Sequence, residues 1–81
     1  MNTSNIELDQ LLDHLLEAKS RLEMSTKLEQ LLTPSEYDEV VKRLQILHML
    51  DQGIPQRKIA ETLGVGIATV SRGARARKDR L

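Results

Sequence analysis

The sequence predicts an all-α protein, and three observations carry that prediction. Apolar residues recur at spacings of three and four along most of the chain, as on one face of an α-helix. Phe and Trp are absent, Tyr37 is the only aromatic residue, and β-branched residues are scattered singly, so no segment reads as a half-buried strand. Helix-start signatures and glycine stops punctuate the chain at helical lengths.

Taken in order, Ser4 and Glu7 have the spacing of a capping box, in which a hydroxyl and a carboxylate each satisfy a free backbone NH. Leu8, Leu11, Leu12, Leu15, Leu16, Ala18 and Leu22 then form one stripe, predicting a first helix from Asn5 to Leu22. Thr26 and Glu29 repeat the cap spacing, predicting a short second helix from Lys27 to Leu32. The clearest start is Thr33-Pro34-Ser35-Glu36, where Thr caps, Pro fits the first helical position and Glu completes the box. A long central helix over 34–52 follows, with Tyr37, Val40, Val41, Leu44 and Leu47 on its apolar face and Gly53 placed to end it in a left-handed conformation. Pro55 opens a short helix, Gln56 to Leu63; Gly64, Val65 and Gly66 turn the chain, and a last helix begins at Ile67.

Eighty-one residues allow a single domain over 1–81. Leu, Ile and Val make up about 28% of them, above the ~20% below which disorder is expected. A chain this short is marginal alone, which favours self-association through the helices of 5–32. The absence of Cys excludes a disulfide framework and a thiolate metal site, and His14 and His48 lie apart beside leucines, so no metal site is expected. No apolar run has the length of a membrane span and the first nine residues lack signal-peptide character, so the expected address is the cytoplasm. The zero net charge is a cancellation. Residues 1–40 hold nine carboxylates and three cations, net −6, and residues 41–81 the reverse, net +6. Arg72, Arg75, Arg77, Lys78 and Arg80, with Asp79 the only opposing charge, concentrate the excess in the last ten residues, where Arg77 is expected as a general phosphate contact.

Geometry enters at Gln56. In QRKIAETLGVGIATVSRG, Ile59, Leu63, Val65 and Val70 have the spacing of the small core that locks two helices of a helix-turn-helix. Ala60 falls where the helices cross closely, and Gly64 in a turn that needs positive φ. With that face inward, Ala68, Thr69 and Arg72 project from the second helix toward a major groove, and the free NH groups at its start, next to Gly66, favour a phosphate. The competing readings are an ordinary helical hairpin with Gly64 and Gly66 as routine stops, and a helical interaction module whose N-terminal stripe binds a partner and whose basic tail only solubilises. Catalysis is not expected: the acidic residues are spread over outward helix positions, with no nucleophile or phosphate loop beside them.

The same residues resemble the tryptophan repressor family over about positions 28–78. The shared features are LTP before a long helix, an Arg within it, its glycine end, and GIAT with SRG at the recognition helix. The tryptophan repressor is itself a standard illustration of this motif and of water-mediated operator contacts. The resemblance implies a five-helix, intertwined homodimer that places two reading heads in successive major grooves of a double-stranded DNA operator and acts as a transcriptional repressor. Arg57, Ile67, Ala68 and Thr69 match base-reading positions, and Gln56 and Ser71 match backbone contacts.

The family's corepressor, L-tryptophan, lies between the long helix and the recognition helix. By resemblance Arg43 and Arg72 sandwich its indole, Leu32 and Thr33 form a pocket edge given by the partner subunit, and Gly73 leaves room for the ligand. Ala76 stands where the family has a serine that helps hold the ligand amino group, Gln30 replaces an apolar pocket residue, and the loop at Ile54 and Pro55 is one residue shorter. The family pattern also continues into a further helix past the position of Leu81.

Overall fold

A computed structural model describes residues 5–80 of the backbone and the side chains of residues 5–78. Its elements are five helices, α1 (Asn5–Leu16), α2 (Arg21–Leu31), α3 (Pro34–Asp51), α4 (Gln56–Leu63) and α5 (Ile67–Arg80), and there is no strand among the described residues. The fold is all-α, as expected. The chain divides into two compact units, Met1–Tyr37 and Asp38–Leu81.

In the first unit the predicted continuous helix to Leu22 is broken after Leu16, and the second begins at Arg21, not at Lys27. The cause is a capping arrangement around Ser20. Its hydroxyl accepts from the Glu23 NH at 3.1 Å, and the Glu23 carboxylate accepts from the Lys19 NH at 2.7 Å. Thr26, read from its spacing as a cap, is an interior residue of α2. The Ser4 half of the first predicted cap lies outside the described residues. Lys27 Nζ lies 3.5 Å from His14 Nδ1, a polar link between α2 and α1. Neither helix contains a buried residue, and Leu8, Leu11, Leu12, Leu16, Leu22 and Leu31 are all exposed. The start of α3 follows the predicted box: the Thr33 hydroxyl accepts from the Glu36 NH at 3.2 Å, and Glu36 Oε1 accepts from the Thr33 NH at 2.8 Å.

The second unit holds the packed core. Ile46, Ile59 and Val70, one each from α3, α4 and α5, are at most 1% exposed, and Met49, Leu50, Ile54, Ala60, Leu63 and Val65 pack around them. Two glycine turns deliver part of this shell. Gly53, at φ +79°, ends α3 with its NH bonded to the Leu50 carbonyl and the Ile54 NH bonded to Met49; Gly64, at φ +66°, ends α4 with the Val65 NH bonded to Ala60. In each turn the residue after the glycine folds back onto the core, which is the hydrophobic contact that accompanies such helix ends.

Ile46 was not on the face expected for α3. At about 100° per residue it lies roughly opposite Tyr37. The helix therefore has two apolar faces: Ile46, Met49 and Leu50 join the core, while Val40, Val41 and Leu44, on the face read from the sequence, are 42–53% exposed. The apolar face read from the sequence is present, and the buried face, set by Ile46, is a second one. The choice between two faces of similar apolarity is made by what α4 and α5 present.

Ile59→Ala should destabilise the protein by about 2 to 5 kcal/mol in denaturant unfolding, since it empties a fully buried site. Ser20→Ala should cost about 1 kcal/mol and lower helicity in circular dichroism by a fraction of α2.

Candidate nucleic-acid interface

The local chemistry of α4 and α5 differs from that of the other helices at their N-terminal ends. α1, α2 and α3 each have a glutamate in the first turn, Glu7, Glu23 and Glu36, which offsets the positive end of the helix dipole. α4 and α5 have none, and no side chain caps the start of α4 at Pro55. Two positively polarised helix ends in a basic segment form a surface on which a phosphate is favoured.

Within α5, Ile67 is 50% exposed, Ala68 and Arg72 are exposed, and Thr69 is half-buried. Val70, between them, is sealed in the core, so the helix is locked in rotation with this outer face free. Arg57 on α4 and Gly66 before α5 are exposed as well. Gln56 and Ser71, expected as separate backbone contacts, are brought together: Ser71 Oγ donates to Gln56 Oε1 at 2.8 Å. That bond ties the first turn of α4 to α5 and leaves the Gln56 amide NH2 as the outward donor.

Arg77 departs from expectation. Its Nε donates to Asp51 Oδ1 at 2.5 Å, joining α5 to the last residue of α3, so it is an internal tie and is not a free phosphate contact. Arg75 and Lys78 are exposed and make no ion pair among the described residues. The sequence offered no signal for this division, because Asp51 is 26 residues away.

Behind the outer face, α3 and α5 enclose a cleft of about 360 Å³ lined by Arg43, Ile46, Leu47, Thr69, Arg72, Gly73 and Ala76. Gly73 has a definite function here: a Cβ in its place would stand 3.0 Å from Ile46 Cγ2, so its bare backbone allows α5 to approach α3. Arg43 has only a loose partner, Glu39 at 3.8 Å, and both side chains are mostly exposed. Of the residues assigned to a ligand by resemblance, Arg43, Arg72 and Gly73 meet on this cleft. Leu32 and Thr33 belong to the first unit, where Leu32 ends α2 and Thr33 caps α3; Gln30 is exposed.

A family model described as Trp repressor protein matches residues 6–80. The chain belongs to the Trp repressor protein family. It is 41% identical over 75 residues to the Trp operon repressor homolog of Vibrio cholerae serotype O1, which covers 91% of this chain and 73% of that protein. With the homolog of Photobacterium profundum it shares 44% over 69 residues, 84% of this chain and 67% of that protein. A 45-residue stretch is 49% identical to the homolog of Pasteurella multocida, 54% of this chain and 44% of that protein. No solved structure matches the chain significantly. As a member of the Trp repressor family, the chain is a transcriptional repressor of the Trp type. No described helix is long and apolar enough to cross a membrane, and no cluster of three or more His, Cys, Asp or Glu among the described residues could hold a metal ion.

If Arg77 is an internal tie, Arg77→Ala should change the salt dependence of duplex binding less than Lys78→Ala. The latter should lower the slope of log affinity against log salt by about one phosphate contact, about 0.9. Titrations of both variants at two salt concentrations check this.

Proposed function

We propose that the chain represses transcription by binding a specific operator as a homodimer, with α5 as the recognition helix in the major groove. The observation that carries this reading is the outer face of α5: Ile67, Ala68 and Arg72 exposed on a helix whose Val70 is fully buried. Short side chains at Ala68 and Thr69 permit close approach to base edges, and Arg57 on α4 is free to present its two-pronged donor to a guanine edge. Gln56, Ser71 and Gly66 lie at the margins of this face and are suited to phosphate contacts.

Self-association is supported by the exposed leucines of α1 and α2 and by the second apolar face of α3, Val40, Val41 and Leu44. Exposed apolar side chains in this number on so small a chain call for a cover, and a second copy of the same interlocking helices is the symmetric solution. Control by L-tryptophan is supported by the cleft between α3 and α5. It lies directly behind the recognition face, Thr69 and Arg72 belong to both surfaces, and two guanidinium groups flank an apolar floor. Leu32 and Thr33 of a second subunit would complete its edge.

Arg57→Ala or Thr69→Ala should lower discrimination at one operator position by about 1 to 3 kcal/mol and leave binding to random duplex nearly unchanged. Operator selection from a random pool, repeated with each variant, measures this; equal loss on every sequence would contradict the assignment. Calorimetry with L-tryptophan in the presence and absence of operator should show heat of binding and tighter operator affinity. No effect of millimolar ligand on either would remove the control reading.

A further inference from the structure

Ser71 and Gln56 are both exposed, yet they meet across 15 positions of sequence, and the direction of their bond divides the work between them. A serine hydroxyl has one proton to donate, and Ser71 Oγ donates it to Gln56 Oε1 at 2.8 Å. Phosphate oxygens only accept, so the engaged hydroxyl has nothing but lone pairs to turn toward them. Gln56 is in the opposite position: its carbonyl is occupied and its NH2 keeps two donors. The bond matters because of where Gln56 stands. It is the first residue of α4, whose start has no side-chain cap and no carboxylate in its first turn. The helical ladder begins with the Ile59 NH bonded to the Pro55 carbonyl, so the NH groups of Gln56, Arg57 and Lys58 have no acceptor within the helix. Arg57 and Lys58 add two exposed cations beside it. All of these donors attract an amide carbonyl. A Gln56 side chain turned onto them would cover them with its own acceptor and meet an approaching phosphate with lone pairs. The Ser71 hydroxyl holds that carbonyl toward α5 instead.

Resting on the reading of α4 and α5 as a nucleic-acid interface, we propose that Ser71 is a positioning residue that acts on the duplex through Gln56, fixing its amide with the NH2 group toward a backbone phosphate. The contact and its aim are then on different helices: Gln56 on α4 donates, and Ser71 on α5 sets which end of the amide faces outward. Neither side chain is in the core, so either can be truncated without emptying a buried site.

The test is a double-mutant cycle on the full chain with a random-sequence duplex, since a phosphate contact is the same on every sequence. Ser71→Ala and Gln56→Ala should each weaken binding about three- to tenfold, the scale of one hydrogen bond, and the double variant should be no weaker than Gln56→Ala alone. The slope of log affinity against log salt should stay at its native value in all three, because a neutral amide releases no counterion. Ser71→Thr, which keeps the hydroxyl, should bind as the native chain does. Losses that add in the double variant overturn the positioning role, since Ser71 would then meet the duplex on its own. Native affinity in Ser71→Ala, a Ser71→Thr variant as weak as Ser71→Ala, or a lower salt slope in Ser71→Ala overturns it as well, the last by showing that neighbouring cations had moved. Failure of the native chain to bind any duplex overturns the interface itself.

Discussion

The close approach of α5 to α3 over Gly73 is the constraint on which the second unit depends. With no side chain at Gly73, the Cγ2 methyl of Ile46 stands where a Cβ would otherwise meet it at 3.0 Å. Ile46 can then close the core with Ile59 and Val70, and burying these three side chains is the main source of order in a unit with few other sealed groups. The same approach has two functional consequences. It fixes the rotation of α5, so that Val70 points inward and Ile67, Ala68 and Arg72 outward. It also leaves a cleft between the two helices, flanked by arginines.

Charge in this protein is distributed by task. Carboxylates occupy the first turns of α1, α2 and α3, where they offset the positive end of the helix dipole. They are absent from the first turns of α4 and α5, where a carboxylate would repel a phosphate. Even within the basic end of the chain the cations are not equivalent. Arg77 is engaged by Asp51 and braces α5 against the end of α3, whereas Arg75 and Lys78 stay in solvent. Counting the net charge of that segment would overstate its capacity for nucleic acid by the cations that are spent internally.

The first unit is organised differently. Its helix α2 is set by the cap at Ser20 more than by packing, since no residue of α1 or α2 is buried. Isolated helices of 11 or 12 residues are marginal in water, so capping and the His14–Lys27 contact leave most of their stabilisation to be found by covering the leucine stripe.

Much of the second unit, and the start of α3 that leads into it, was legible in the residues. The Thr33 box, the left-handed glycines 53 and 64, the bounds of α4, the start of α5 and the inward set Ile59, Leu63, Val65 and Val70 all follow from local chemistry, where a few neighbouring residues decide the outcome. The break between α1 and α2 was also written locally, in Ser20 and Glu23, but a leucine periodicity that runs through it gave the stronger signal. Local order alone therefore determined the all-α class, the helix-turn-helix and the outward set on α5. Tertiary structure decided which of two apolar faces of α3 is buried, which arginine is tied to Asp51, the pairing of Gln56 with Ser71, and the meeting of Arg43 with Arg72 across a cleft. These join residues 13 to 29 positions apart, and no periodicity of 3.6 carries information over that distance; only the packing of one helix on another does.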